Sequence, residues 1–200
     1  MSAADKGLAA AGVLTCLDRG QAVLLPTDTV PGLHARLDRP RGLAALTALK
    51  GRAEAKTYLI LVATIPEALA LASPLPPPAA DFVRRCWPGP FTFVVPAGTT
   101  LPPQVVTPAG GIALRVPAWA TLRDLLALSG PLASTSANPA GQPAPVDVAA
   151  AAAFFPAVPR WNAVPDGGAA MPSALVDLTG GRPLLVRPGP LPLPDWPDRG

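Results

Sequence analysis

The chain has 200 residues, half of them hydrophobic, with 29 prolines and 18 glycines, and it is long enough to bury a core of its own. Charged residues are only 14% and apolar runs recur along the whole length, which excludes an intrinsically disordered chain. A formal charge of +3 and an isoelectric point near 9.3 give a mild basic bias of the kind that suits phosphate-bearing ligands, nucleotide or RNA.

In chain order, residues 8–17 carry apolar positions at helical spacing, and Gly20 stops that helix. Ala22-Val23-Leu24-Leu25 is a short apolar strand that runs into the turn Pro26-Thr27-Asp28-Thr29. Pro40 opens a helix carrying Leu43, Leu46 and Leu49, with Gly51 as its stop. Residues 58–62 form the next buried strand, and a helix over 78–87 ends at Pro88-Gly89-Pro90. Strands over 91–95 and 112–116 flank a Pro- and Gly-rich loop. A helix over 118–128 follows, then a strand over 132–134 that leads into Thr135-Ser136-Ala137-Asn138-Pro139. Residues 146–155 make an alanine-rich helix, and 161–164, 174–178 and 184–186 read as closing strands. The irregular alternation predicts an α/β fold built on a mixed sheet, with helices on its convex side. One catalytic domain is expected over residues 1–189, with a Pro-rich, extended and poorly packed tail over 190–200.

Cys16 and Cys86 have no partner spacing and His34 is the only histidine. A disulfide framework and a His/Cys zinc site are therefore not expected. No apolar run approaches the ~20 residues that span a bilayer, so the expectation is a soluble, cytoplasmic protein. P-loop, dinucleotide-fold, zinc-protease and serine-elbow signatures are all missing. Any nucleotide chemistry must use another scaffold.

Four polar segments stand at predicted element ends, where ligands gather. Thr27-Asp28-Thr29 follows a buried strand, though taken alone it reads as a turn. Lys50-Gly51-Arg52 leaves a helix at an exposed end, and such cations are commonly only partners of the helix dipole. They also lie in a run with Arg36, Arg39, Arg41 and Lys56 that outnumbers Asp38 and Glu54, and a paired ammonium and guanidinium suit a polyphosphate. Ser134-Thr135-Ser136-Ala137-Asn138 is a polar exit from an apolar strand or merely an Asn-Pro turn. Arg115 and Arg187 end two strands, a place where arginines often form only surface ion pairs.

In order, the chain reads Pro26-Thr27-Asp28-Thr29-Val30, Lys50-Gly51-Arg52, Trp87-Pro88-Gly89-Pro90-Phe91-Thr92, Leu114-Arg115-Val116-Pro117, Ser134-Thr135-Ser136-Ala137-Asn138, Pro172-Ser173-Ala174 and Arg187-Pro188-Gly189. That succession resembles the YrdC-type threonylcarbamoyl-AMP synthase family. The resemblance implies an open, twisted sheet with a large basic concave cavity. It also implies an enzyme, a nucleotidyltransferase that joins L-threonine, bicarbonate and ATP as the first step of threonylcarbamoyladenosine formation in tRNA. By the same resemblance Lys50, Arg52, Ser136 and Asn138 are the catalytic set. ATP is met by these four and Arg187, and threonine by Thr27, Thr29, Arg115, Ser134 and Ser173. Asp28 is the one obvious carboxylate in these segments, so Mg2+ is expected to be held mainly by phosphates and water, with no protein metal site. A downstream threonylcarbamoyl transferase complex and tRNA are the implied partners, and no membrane is.

The chain departs from the family pattern at Pro31, where an aromatic residue is usual, and at Thr57-Tyr58. A pocket wall from elsewhere is then expected, with Tyr58 the nearest candidate. Two other readings stay open: the same fold acting on a different amino acid or carbamoyl acceptor, and a non-enzymatic module that binds tRNA or other double-stranded RNA.

Overall fold

The computed structural model describes residues 7–51, 57–139, 141–166 and 171–197. Helix α1 (Ala10–Asp18) leads to strand β1 (Val23–Leu25), then β2 (Gly32–Arg36), α2 (Pro40–Leu49), β3 (Leu59–Leu61), α3 (Ile65–Leu71) and α4 (Pro77–Cys86). Strands β4 (Phe91–Pro96) and β5 (Gly111–Arg115) precede α5 (Ala120–Ser129), β6 (Leu132–Ser136), α6 (Val148–Phe154), β7 (Ala174–Asp177) and β8 (Leu184–Arg187). The eight strands form one open sheet in the order β1-β2-β6-β3-β5-β4-β7-β8. Only β3–β5 and β4–β7 pair in parallel, so the sheet is mixed, as the sequence predicts.

Cross-strand partners share a face and neighbours along a strand alternate. The register therefore sorts the sheet into two unlike surfaces. One carries Leu24, Leu33, Ala35, Ala133, Ile60, Leu114, Phe93 and Val176, all buried in a cluster with Leu43 and Leu46 of α2, Ala68 of α3, Phe82 and Val83 of α4 and Ala151 of α6. Burying each Leu, Ile, Val or Phe of this set contributes roughly 1.5–3 kcal/mol. On the other surface the fully buried apolar side chains gather at one corner, where Val23, Leu25, Leu61 and Leu132 meet Val13 and Leu17 of α1 and Leu122, Leu125 and Leu126 of α5. The rest of that face holds Gly32, His34, Ser134, Ser136, Arg115, Thr92 and Arg187. It is the polar face.

The structure adds β2 and α3 to the expected elements. Helix α3 begins at Thr64, whose hydroxyl accepts from Glu67 N at 3.3 Å, while Glu67 Oε2 accepts from Ala63 N at 2.9 Å. The expected strand at 161–164 is not formed. The chain there makes only single bridges, Leu24 with Arg160 and Leu8 with Trp161, and Trp161 packs on Trp119, 5.3 Å between centroids. The tail is not loose over 193–196. Leu193 and Trp196 pack on the larger core, Trp196 lies 5.1 Å from Phe82, and Arg85 Nη2 donates to Asp195 O at 2.8 Å. No helix among the described residues is long and apolar enough to cross a membrane.

Candidate functional site

Helix α2 ends at Lys50, which keeps helical dihedrals, and Gly51 takes φ of +59°, a region that costs glycine little and other residues much. That stop turns the Lys50 side chain inward. It is 5% exposed, not at the exposed helix end the sequence suggests. Its ammonium donates to Ser136 O at 2.9 Å and Asn138 O at 2.5 Å, with Asn138 Oδ1 at 3.5 Å. Ser136 Oγ donates to the same Asn138 Oδ1 at 2.5 Å, and Asn138 Nδ2 donates to Gln142 O. Three of the four expected catalytic residues thus form one bonded group. The fourth, Arg52, lies outside the described residues, as does Lys56.

A second group is built on Arg115. Its side chain is 4% exposed and that of Asp28 is 9% exposed, with Nη2 2.7 Å from Asp28 Oδ1. Nη1 donates to Thr29 Oγ1 at 2.7 Å and Nε to Gly89 O at 3.2 Å. Asp28 Oδ2 accepts from Ala118 N at 2.8 Å. Burial lowers the Arg115 pKa from its usual value, the Asp28 carboxylate opposes that, and the Arg187 charge adds to it. A guanidinium has five N–H donors, so two remain without a partner among the described residues. The hydroxyl accounting is tighter. Thr27 Oγ1 donates to Val30 O at 2.8 Å and accepts from Thr29 N at 3.1 Å. The 3.1 Å contact between the two hydroxyls must then use the proton of Thr29. Both threonine protons are committed inside the turn.

A third group joins Ser173 and Arg187. Ser173 Oγ is 2.8 Å from Thr92 Oγ1, both buried, and Ser173 O accepts from Arg187 Nη2 at 2.9 Å and Nε at 3.3 Å. Desolvation lowers the Arg187 pKa too. Ser134 lies buried on the same sheet face, paired in register with His34 on one side and Leu59 on the other.

Every described candidate therefore lies on or beside the polar face. Thr92, Gln142 and His34 belong to this surface but were not singled out from sequence. Thr92 did stand inside the Trp-Pro-Gly-Pro-Phe-Thr block. Tyr58 is not the missing pocket wall: it is 3% exposed within the larger core, and its hydroxyl donates to Thr47 Oγ1 of α2 at 3.2 Å. Strand alternation sends it to the face opposite Leu59. Cavities of about 370 and 460 Å3, at the Arg36–Asp38 turn and where Arg19 and Gly20 meet Arg39 and Arg41, contain none of the candidates. No group of His, Cys, Asp and Glu among the described residues could hold a metal ion.

A family model for the Sua5, YciO and YrdC proteins, described as "Telomere recombination", matches residues 15–189. The chain is similar to the threonylcarbamoyl-AMP synthase of Pyrococcus abyssi, 33% identical over 178 residues, which is 87% of this chain and 52% of that protein. It is 34% identical over 172 residues to the threonylcarbamoyl-AMP synthase of Stutzerimonas stutzeri, 84% of this chain and 91% of that one. The crystal structure of Pyrococcus abyssi Sua5 complexed with L-threonine matches with a TM-score of 0.82 at 30% identity, over 92% of this chain and 55% of that chain. The chain thus spans about half the length of the Pyrococcus relative and most of the Stutzerimonas one.

Proposed function

This chain belongs to the Sua5/YciO/YrdC family, and on that premise we propose that it is an enzyme that condenses L-threonine, bicarbonate and ATP into threonylcarbamoyl-AMP, diphosphate and water. The observation that carries the reading is the Lys50 ammonium donating to Ser136 O and Asn138 O, a cation brought from the end of α2 to two polar residues at the exit of β6. The threonine amine and bicarbonate give a carbamate and release water. A carbamate oxygen then attacks the α-phosphorus of ATP, and pyrophosphate leaves. Charge gathers on phosphate oxygens, so the protein's task is to position and neutralise it.

In this reading Lys50, Arg52 and Arg187 supply positive charge to ATP on a basic, concave surface, and Ser136 and Asn138 supply neutral hydrogen bonds, Asn138 through its second Nδ2–H and Ser136 once its proton leaves Asn138 Oδ1 for the ligand. Arg115 offers its two remaining N–H groups to the amino acid, beside Ser134 and Ser173. Thr27 and Thr29 shape the pocket and aim Arg115, since their own protons are committed. Asp28 is held by Arg115 and Ala118 N, so Mg2+ would be carried by phosphates and water. The transfer of an adenylyl group makes the protein a nucleotidyltransferase. The product would pass in the cytoplasm to a threonylcarbamoyl transferase complex acting on tRNA.

The test is to supply ATP, bicarbonate and each amino acid in turn and to identify products by mass. An AMP-linked threonylcarbamoyl product with threonine alone supports the reading. The same yield from another amino acid would overturn it.

A further inference from the structure

His34 is the only histidine of the chain, and no sequence motif draws attention to it. It sits at the centre of β2, fully buried, and neither ring nitrogen makes a hydrogen bond of good geometry; the Gly32 backbone acts on the ring only enough to favour its protonated form slightly against burial. Buried polar groups are nearly always paired, and an orphan calls for an explanation. An indifferent core position would be filled more stably by an apolar side chain.

Where the ring points is informative. A Cβ added to Gly32 would stand 2.7 Å from His34 Cε1 and 3.1 Å from Nε2. The imidazole edge therefore lies over Gly32, and the absence of a side chain there is what admits it. Gly32 pairs with Ser136, and His34 itself pairs with Ser134. The orphan edge is thus directed along the polar face toward the Ser136 end, where the Lys50 group lies. Arg115 acts electrostatically on His34 from the same face, and burial lowers the imidazole pKa to about 3. The ring is neutral at working pH, with one N–H to give and one lone pair to accept. The Thr27 and Thr29 hydroxyls have no proton to offer a ligand's polar group, because both are spent within their turn.

We propose that His34 is a specificity-determining residue, its Nε2 edge over Gly32 completing its hydrogen bond with the side-chain hydroxyl of the amino acid substrate. This rests on the function proposed above. Charged ends of the amino acid suit the guanidinium of Arg115 and its carboxylate partner; a neutral ring that both gives and accepts suits an alcohol. A site that pairs a buried polar group with a substrate hydroxyl discriminates strongly against the analogue lacking it, because the protein group is then stranded.

Three measurements decide it. First, wild-type pyrophosphate release with threonine and with L-2-aminobutyrate, which lacks the hydroxyl, gives the preference. No turnover with threonine overturns the function itself and this inference with it. Second, His34→Leu removes both nitrogens and keeps an apolar fill. The expected result is a KM for threonine raised about tenfold or more, kcat changed much less, KM for ATP within about twofold, and the threonine preference largely erased. His34→Gln should restore part of it. A merely structural histidine would leave the preference intact in His34→Leu, and that result overturns the proposal. Third, should the variants fail to fold, the wild-type protein labelled at histidine gives a single imidazole nitrogen pair by NMR. Threonine should move the Nε2 signal and L-2-aminobutyrate should not; identical responses to both overturn the proposal.

Discussion

The Lys50 ammonium lies 2.9 Å from Ser136 O although 86 residues separate the two. One side chain at the end of α2 thereby fixes the exit of β6, where two further candidate residues stand. A cation in that position organises the loop that carries Ser136 and Asn138.

Lys50→Ala should therefore lose both turnover and stability. The variant strips a charged donor from two carbonyl oxygens, which costs about 1–3 kcal/mol when they are left unpaired. Ser136→Ala removes only a half-buried hydroxyl and should cost about 1 kcal/mol or less in stability while turnover falls steeply. Denaturant unfolding and pyrophosphate release on the two variants check the contrast. A Lys50→Ala protein as stable as wild type would contradict the buried geometry.

A second expectation concerns Arg115 and Asp28. Asp28→Asn keeps the shape but leaves a buried guanidinium without its counter-charge, which should destabilise by about 3–5 kcal/mol. Arg115→Met together with Asp28→Asn should recover part of that loss, because no buried charge is then unpaired. Unfolding midpoints of the single and double variants measure the coupling. Additive losses would show that the pair is not coupled as the 2.7 Å contact implies.

The outcome shows which features one sequence carries. Apolar runs and turn residues located most strands and helices to within two or three residues, since burial on both sides of a short strand leaves an unbroken apolar string. Strand β2 escaped because Gly-Leu-His-Ala-Arg has no β-branched residue and its alternation rests on only two apolar positions, Leu33 and Ala35; its pairing with β1 and β6 makes it a strand. Helix α3 was legible in Thr64-Ile65-Pro66-Glu67, a cap, a first-turn proline and a glutamate at the capping spacing. The tail misled through its prolines, while Leu193 and Trp196 pack on the core and Arg85 holds Asp195 O. At the candidate site, motif order picked out residues that the fold brings to one face, but it did not tell how buried they are. Nothing local tells that Lys50 turns inward, that Tyr58 faces the helices, or that Ser173 meets Thr92 across 81 residues.

Acid should weaken the fold through His34. Its pKa is about 3 when folded, below the ordinary 6.5 of an imidazole, mainly through burial; the Gly32 backbone opposes the shift and the Arg115 charge adds to it. Between those values the unfolded chain binds the extra proton, so stability is fully present above about pH 6.5 and is lost as pH falls toward 3. The slope there is about 1.4 kcal/mol per pH unit. Denaturant unfolding at pH 7 and pH 5 should differ by about 2 kcal/mol from this group. His34→Leu should flatten that difference, and an unchanged difference would contradict the buried, neutral imidazole.

The most direct test of the central claim is pyrophosphate release from ATP with threonine and bicarbonate supplied together and then each withheld. Carbamate formation must precede attack on the α-phosphorus, so release should need both and fall to background when either is missing. Equal release with threonine or bicarbonate omitted would contradict the account.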